Sequence, residues 1–478
     1  MVEKNKDKKL GLWSLLAMVV GSMTGAGIFM IPARFAGATG VYGSLIAWLI
    51  AGIGMLMLAF VFQSLAVRKP DINAGIFAYA QEGFGDYIGF IMGIGYWACA
   101  CAGNVTYLVL VSSTLGEVIP ALGDGDTIIA LLASSVLLWA YFLLILRGVQ
   151  QAAIINTIVT IAKIIPIIAF IVIAIVYFDI QTFKGNLEGV YPGYSFPLFE
   201  QVKKTMLITV FVFLGIEGAS IYSRYAKTRK IVGKATILGF VSVLCLLVMV
   251  SVLPFGVLTQ EKIAGLRQPS MAGILESIIG TPGGIFISVG LLVSILGAYL
   301  AWSLMAAEVL FTVSQKGLAP GFIKKENKVK APKNALLLSG LLVQAILLSS
   351  HFVKDALDFV LDLTAALSLL PYLFTALFAL KIAIKKDGYE KLPDSTNKRE
   401  LIVACLACVY TVFLIWAAGI NLLLLSCLIL APSTALFIAA KKSQNKIVFS
   451  KVELFIFILL CIGFVVVIVG LITGHIKV

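Results

Sequence analysis

The chain has 478 residues, of which 60% are hydrophobic and 13% charged, with a mean hydropathy of +1.03. That is more apolar surface than a soluble core can bury, so the class is integral membrane protein. The formal net charge of +13 would suggest a nucleic-acid partner in a soluble protein; here its distribution follows membrane topology, and no nucleic acid is expected.

Residues 1–10 read as a cytoplasmic tail. Hydropathy then places spans near 11–36, 42–67, 86–115, 127–147, 152–178, 203–225, 232–258, 283–315, 334–352, 357–384, 400–418, 420–440 and 453–474, with the join at Gly419 the tightest. The first of these is too long for the apolar part of a signal peptide and has no small-residue cleavage site, so it is expected to stay. With the N-terminus inside, 28 of the 37 Lys and Arg residues fall on cytoplasmic segments and 7 on the opposite side. The positive-inside rule therefore orients the chain in the cell membrane with its C-terminus outside. Arg34 and Lys163 lie within spans. The connections are short, with Lys-rich stretches at about 317–333 and 385–399 that serve as topology signal. The seven cysteines fall in apolar segments, as buried hydrophobes do.

Span 1 contains Gly21-Ser22-Met23-Thr24-Gly25-Ala26-Gly27. Each glycine costs about 1 kcal/mol of helix propensity relative to Ala, so the backbone is expected to unwind. Unwound backbone at membrane depth survives only inside protein or beside a water-filled cavity. Five spans later comes Phe213-Leu214-Gly215-Ile216-Glu217-Gly218-Ala219-Ser220, a second glycine-interrupted stretch. An odd offset turns the second half of the chain upside down relative to the first, with repeats over 11–178 and 203–384 and further helices over 400–474. Two such breaks meet near the midplane, where half-helix N-termini suit a carboxylate. Close helix packing by small residues is the alternative use of these glycines.

These two stretches, with Ile28-Phe29-Met30-Ile31-Pro32 after the first, resemble spans 1 and 6 of the amino acid–polyamine–organocation superfamily. The likeness covers about residues 10–440. The run Gly215 to Ser220, followed by Arg224-Tyr225-Ala226-Lys227, is similar to that of the bacterial arginine/ornithine antiporters among the basic amino acid/polyamine antiporters. The resemblance implies an all-α membrane protein of 12–13 helices, with an inverted five-helix repeat and broken helices 1 and 6. It implies alternating-access exchange of small cationic amino acids, arginine for ornithine first. Lysine/cadaverine exchange, arginine/agmatine exchange and proton-coupled uptake share the scaffold. The sequence leaves a homodimer open.

Residue by residue, the resemblance implies that Met23, Thr24, Gly25, Ala26, Gly27, Phe211, Leu214 and Gly215 hold the substrate's head group. Ala26 stands where the family often has serine, and Thr24 is the candidate replacement hydroxyl. Asn104, in Tyr96-Trp97…Gly103-Asn104, and Thr364 are implied polar contacts. Trp302 aligns with a tryptophan that stacks on guanidinium; an indole face attracts a cation by about 0.5–2 kcal/mol, although most membrane tryptophans are belt or packing residues. Tyr96 and Tyr372 are implied gate residues, and Glu217 links substrate to gate or simply binds unwound N–H groups. Lys163, near mid-span 5, stands where sodium-coupled relatives hold Na⁺, unless it snorkels to an interface. Glu308 and Asp362 have no simple family match and are taken as coupling acids. Asp358, one turn from Asp362, is expected to be simply solvated. An enzyme is excluded because neither histidine offers a base or metal ligand near a nucleophile. A channel or a substrate-sensing receptor remains the rival from another class.

Overall fold

A computed structural model describes residues 12, 16, 20, 21, 23–69, 72, 76–147, 152–217, 229–353, 355–387 and 394–476, excepting the side chains of 152–161, 229–233 and 394. Among them the chain is helical, with one isolated bridge between Tyr191 and Tyr194. Among the described residues ten helices are long and apolar enough to cross a membrane, and the described side chains of span 5 form a shorter apolar stretch. Spans 2, 3 and 4 are Val41–Arg68, Asp86–Leu115 and Ile128–Leu146; span 5 is Ala152–Val176. Span 7 is Arg229–Val252, span 8 Thr281–Gln315, span 9 Lys333–Ser350 and span 10 Ala356–Lys385. Spans 11, 12 and 13 are Asp394–Ala418, Ile420–Ser443 and Lys451–Ile472. Gly419 turns the chain between spans 11 and 12 at φ +79°, a region that glycine adopts without strain.

Span 3 is the hub. The whole of its apolar stretch is buried, against 17% for span 13. Its Gly, Ala, Cys and Ser residues let spans 8 and 10 approach closely, as small residues do in membrane packing. Buried indoles are satisfied: Trp48 Nε1 donates to Ser251 Oγ at 2.7 Å and Trp97 Nε1 to Ser339 Oγ at 2.8 Å. Span 13 begins with a capping box between Ser450 and Glu453. Glu453 Oε1 also accepts the N–H of Tyr87 in the first turn of span 3, at 3.0 Å. The Tyr87 ring lies within 5.1 Å of Phe449 and 6.5 Å of Phe457, so the added helix is fastened to the hub.

Span 1 is interrupted, and among the described residues the helix of span 6 ends at Phe213, followed by a turn to Glu217. Span 1 is helical at Met23 and resumes as a short helix, Ile31–Ala38, with Pro32 in its first turn. That short helix is clamped by connecting segments. Tyr194 Oη donates to Ala38 O at 2.5 Å and Gln260 Nε2 to Ala36 O at 2.8 Å. At its other end the Ala33 N–H donates to Ser270 Oγ at 3.2 Å. Gln260 and Ser270 belong to two short helices, Gln260–Ala264 and Ser270–Ile279, which lie in what hydropathy reads as a plain connection.

Just beyond the short helix two chain segments touch at their backbones. A Cβ at Gly40 would stand 2.4 Å from Gly189 N and 2.5 Å from Asn186 O, whereas one at Gly37 meets nothing within 4 Å. Gly40→Ala is therefore expected to cost about 1–3 kcal/mol and to lower the thermal midpoint in detergent. Gly37→Ala is the control: it adds helix propensity in open space and is expected to hold or raise the midpoint.

Candidate functional site

The first break follows from its glycines. The Thr24 N–H and hydroxyl both return to Val20 O, at 2.9 and 2.7 Å, which ends the first half-helix. The chain runs extended at Gly25 (φ −86°, ψ −163°) before a 3-10 turn over Ala26–Phe29. The second break follows Leu198–Phe213: Leu214 is extended and Gly215 sits at φ +103°, a conformation disfavoured for residues with a Cβ. Gly218, Ala219 and Ser220, with Arg224, Tyr225, Ala226 and Lys227, lie outside the described residues.

The two breaks face each other. A Cβ at Gly27 would stand 2.7 Å from Phe211 Cε1 and 3.0 Å from Val212 Cγ1. Between them is a cavity of about 20 Å³, bounded by Met23, Gly25 and Gly27 of span 1 and by Phe211 and Leu214 of span 6. That volume admits a water molecule but no amino acid. Trp302 of span 8 forms a further wall. Its indole occupies the space that a side chain at Gly103 would need: a Cβ there would lie 2.9 Å from Trp302 Cζ3 and 3.5 Å from Thr364 Cγ2.

Four lining residues escaped the sequence reading: Ile28, Tyr107, Val212 and Leu247. Tyr107 stands edge-on to Trp302, with ring centroids 6.1 Å apart at 85°. It lies one helical turn beyond Gly103 and Asn104, so 3.6-residue periodicity from that pair points to it. Leu247 is an ordinary apolar residue of span 7, and nothing in the sequence distinguishes it.

The other expected residues divide into three groups. Thr24, Ala26, Gly215 and Thr364 border the breaks or the indole without lining the cavity, and Asn104 follows Gly103 in span 3. The Thr364 hydroxyl donates to Val360 O at 2.7 Å. Asn104 is 2% exposed, and its Oδ1 has no hydrogen-bond partner among the described residues. A buried amide oxygen of this kind costs free energy until a donor reaches it.

A second group gathers on Glu217. Its carboxylate accepts from Tyr96 Oη of span 3, from Tyr372 Oη of span 10 at 2.9 Å and from the Gly215 N–H at 3.2 Å. One carboxylate thus ties two spans to the second break. On the other side, Lys163 Nζ donates to Gly21 O at 2.6 Å and is 4% exposed. Lys163 therefore reaches into the bundle instead of an interface.

The remaining acids lie apart. Glu308 is exposed, on span 8 beyond Trp302. Asp362 pairs with Arg34. Asp358, expected to be simply solvated, shares that pairing at 3.1 Å, because the one-turn spacing presents both carboxylates to one guanidinium.

The sequence has counterparts among known proteins. The profile described as "Amino acid permease" matches residues 10–423. The chain is 44% identical to an arginine/ornithine antiporter of Pseudomonas aeruginosa, over 99% of both chains. It is 38% identical to an arginine/agmatine antiporter of Chlamydia abortus, over 93% of each, and 37% identical to an L-lysine transport protein of Corynebacterium glutamicum, over 98% of this chain and 97% of that one. With a match of this extent, the chain belongs to the amino acid permease family of the amino acid–polyamine–organocation superfamily.

Proposed function

We propose that the chain is an antiporter that takes up arginine in exchange for ornithine across the cell membrane, by alternating access around the two breaks. The observation that carries this reading is the indole of Trp302 in the wall of a cavity between two unwound backbones. Unwound N–H groups and half-helix ends suit the carboxylate and amino group common to all amino acids, while an indole suits a cationic tail. The relatives named for arginine, ornithine, agmatine and lysine support that choice of tail.

Roles then follow from contacts. Residues 23–27 and 214–215 hold the head group, and Trp302 holds the cation. Asn104 supplies the open acceptor Oδ1 beside it. Glu217, with Tyr96 and Tyr372, reports on the second break and gates the inner side. Lys163 fills with its ammonium the place of a Na⁺ ion, so transport needs no sodium. Spans 1–5 and 6–10 act as inverted repeats, the N-terminus is cytoplasmic and the C-terminus outside, following the Lys and Arg bias. The cavity of about 20 Å³ must widen before an amino acid enters, which alternating access provides.

Counterflow tests the reading. Liposomes loaded with ornithine are expected to accumulate labelled arginine at least tenfold faster than empty ones, without sodium; equal rates reject exchange. Arginine and ornithine each carry one positive charge, so an imposed membrane potential leaves their exchange unchanged. Agmatine and cadaverine carry two, so arginine or lysine entry that is faster into agmatine- or cadaverine-loaded liposomes than into ornithine-loaded ones, at a rate that follows potential, assigns the chain to amine exchange instead.

Two substitutions check the residue roles. Trp302→Leu is expected to raise the KM for arginine about two- to thirtyfold, the equivalent of about 0.5–2 kcal/mol of cation–π attraction; unchanged KM removes the stacking role. Tyr372→Phe withdraws one donor from a buried carboxylate, worth about 1.5–3 kcal/mol. It is expected to slow counterflow about tenfold while arginine Kd stays within threefold, as a gate residue requires.

A further inference from the structure

Hydroxyl groups are scarce around the cavity between the two breaks. Ala26 brings none, and the Thr24 hydroxyl is engaged by Val20 O at 2.7 Å. The Thr364 hydroxyl returns to Val360 O at 2.7 Å, and that of Thr209, one turn before Phe213, to Met206 O at 2.7 Å. Among the described residues that line the cavity, Tyr107 carries the one hydroxyl.

The placement of that hydroxyl is specific. Tyr107 stands on the fully enclosed span 3 and is 3% exposed. A Cβ built on Gly25 would lie 3.3 Å from Tyr107 Oη and would meet nothing else within 4 Å. The phenol oxygen thus reaches from span 3 across to the first break and stands against bare backbone there. The edge-on contact with Trp302 is made by the ring alone. Among the described residues the hydroxyl takes no hydrogen bond. An enclosed polar group in this state costs free energy until a partner arrives, and the partner has to come from the cavity.

We propose that Tyr107 Oη donates to the substrate's carboxylate from span 3, in place of the side-chain hydroxyl that Ala26 lacks, and thereby sets the preference for amino acids over the amines formed when that carboxylate is lost. This deepens the antiport reading above and rests on it. A phenol with an ordinary pKa of about 10 keeps its proton at neutral pH, so it faces a carboxylate as a donor. An amine such as agmatine still brings its cationic tail to Trp302 but leaves the phenol unmet. A site built around a donor discriminates against the ligand that lacks the acceptor. Trp302 then reads one end of the substrate and Tyr107 the other.

The test is equilibrium binding to the purified full chain, by isothermal titration with arginine and, separately, with agmatine. Tyr107→Phe keeps the ring and its contact with Trp302 and removes only a hydroxyl that has no bond here to lose, so it is expected to fold as the parent does. It is expected to raise the arginine Kd about tenfold or more, as the loss of one hydrogen bond to a charged group implies, while the agmatine Kd stays within about twofold. Equal weakening of both ligands overturns the proposal and assigns Tyr107 to the seating of Trp302. An unchanged arginine Kd overturns it as well. Adding Ala26→Ser to Tyr107→Phe is expected to return the arginine Kd to within about threefold of the parent. Selective loss without that recovery keeps the carboxylate contact and strikes the exchange with position 26. Titration reads binding without transport. Selective loss in a chain that shows no counterflow therefore rejects the antiport proposal and keeps Tyr107, whereas counterflow with an unaltered ratio of the two Kd values rejects Tyr107 alone. A parent chain that binds neither ligand rejects both.

Discussion

Backbone that leaves the helix inside a bilayer has to find its hydrogen bonds within the protein, because hydrocarbon offers none. Both interrupted spans meet this demand with an ionisable side chain. Lys163 supplies a donor to Gly21 O near the end of the first half of span 1, where the helix dipole is negative and favours an ammonium. Glu217 accepts the Gly215 N–H just after the first half of span 6. A hydrogen bond to a charged group contributes about 1.5–3 kcal/mol, against about 1 for a neutral pair. That difference, about 0.5–2 kcal/mol, offsets part of the roughly 2.5–3.5 kcal/mol that insertion scales assign to a charge at the bilayer centre. Charges in these spans therefore serve first as fasteners of bare peptide, and any part in transport is built on that duty.

The same economy explains why aromatic hydroxyls gather where they do. Glu217 has lone pairs left after the break is served, and the phenols of Tyr96 and Tyr372 take them. The second break is thereby joined to spans 3 and 10 through one carboxylate. Displacement of the break disturbs both spans together, which is the coupling an alternating-access cycle requires. At Trp302 the control is steric instead: Gly103 leaves the room that the indole fills, and Tyr107 steadies it edge-on.

Much of this was legible in the chain. Glycine clusters marked both breaks because helix propensity and the bilayer's intolerance of bare peptide point the same way. Ionisable residues in apolar runs singled out Lys163 and Glu217 for the same reason. Thr24 and Thr364 looked like free hydroxyls, but a threonine in a helix returns its proton to the carbonyl four residues back, and sequence does not show which choice it makes. The Arg34 pairing was missed because its partners lie 324 and 328 residues away. The spacing of Asp358 and Asp362 showed a shared face without showing what stood opposite. The helices at 260–264 and 270–279 were too short to register beside spans of twenty residues or more.

Span 13 shows how an added helix can be carried without cost to the moving parts. Glu453 holds the Tyr87 N–H at the first turn of span 3, the most enclosed helix of the bundle, and the breaks are held by other residues entirely. The extra segment is thus fastened to the first turn of span 3, away from the clamp on the short helix of span 1. Shortening the chain behind span 12 would uncap the frame's central pillar, so the damage would appear as loss of assembled protein while each surviving molecule kept its substrate preference.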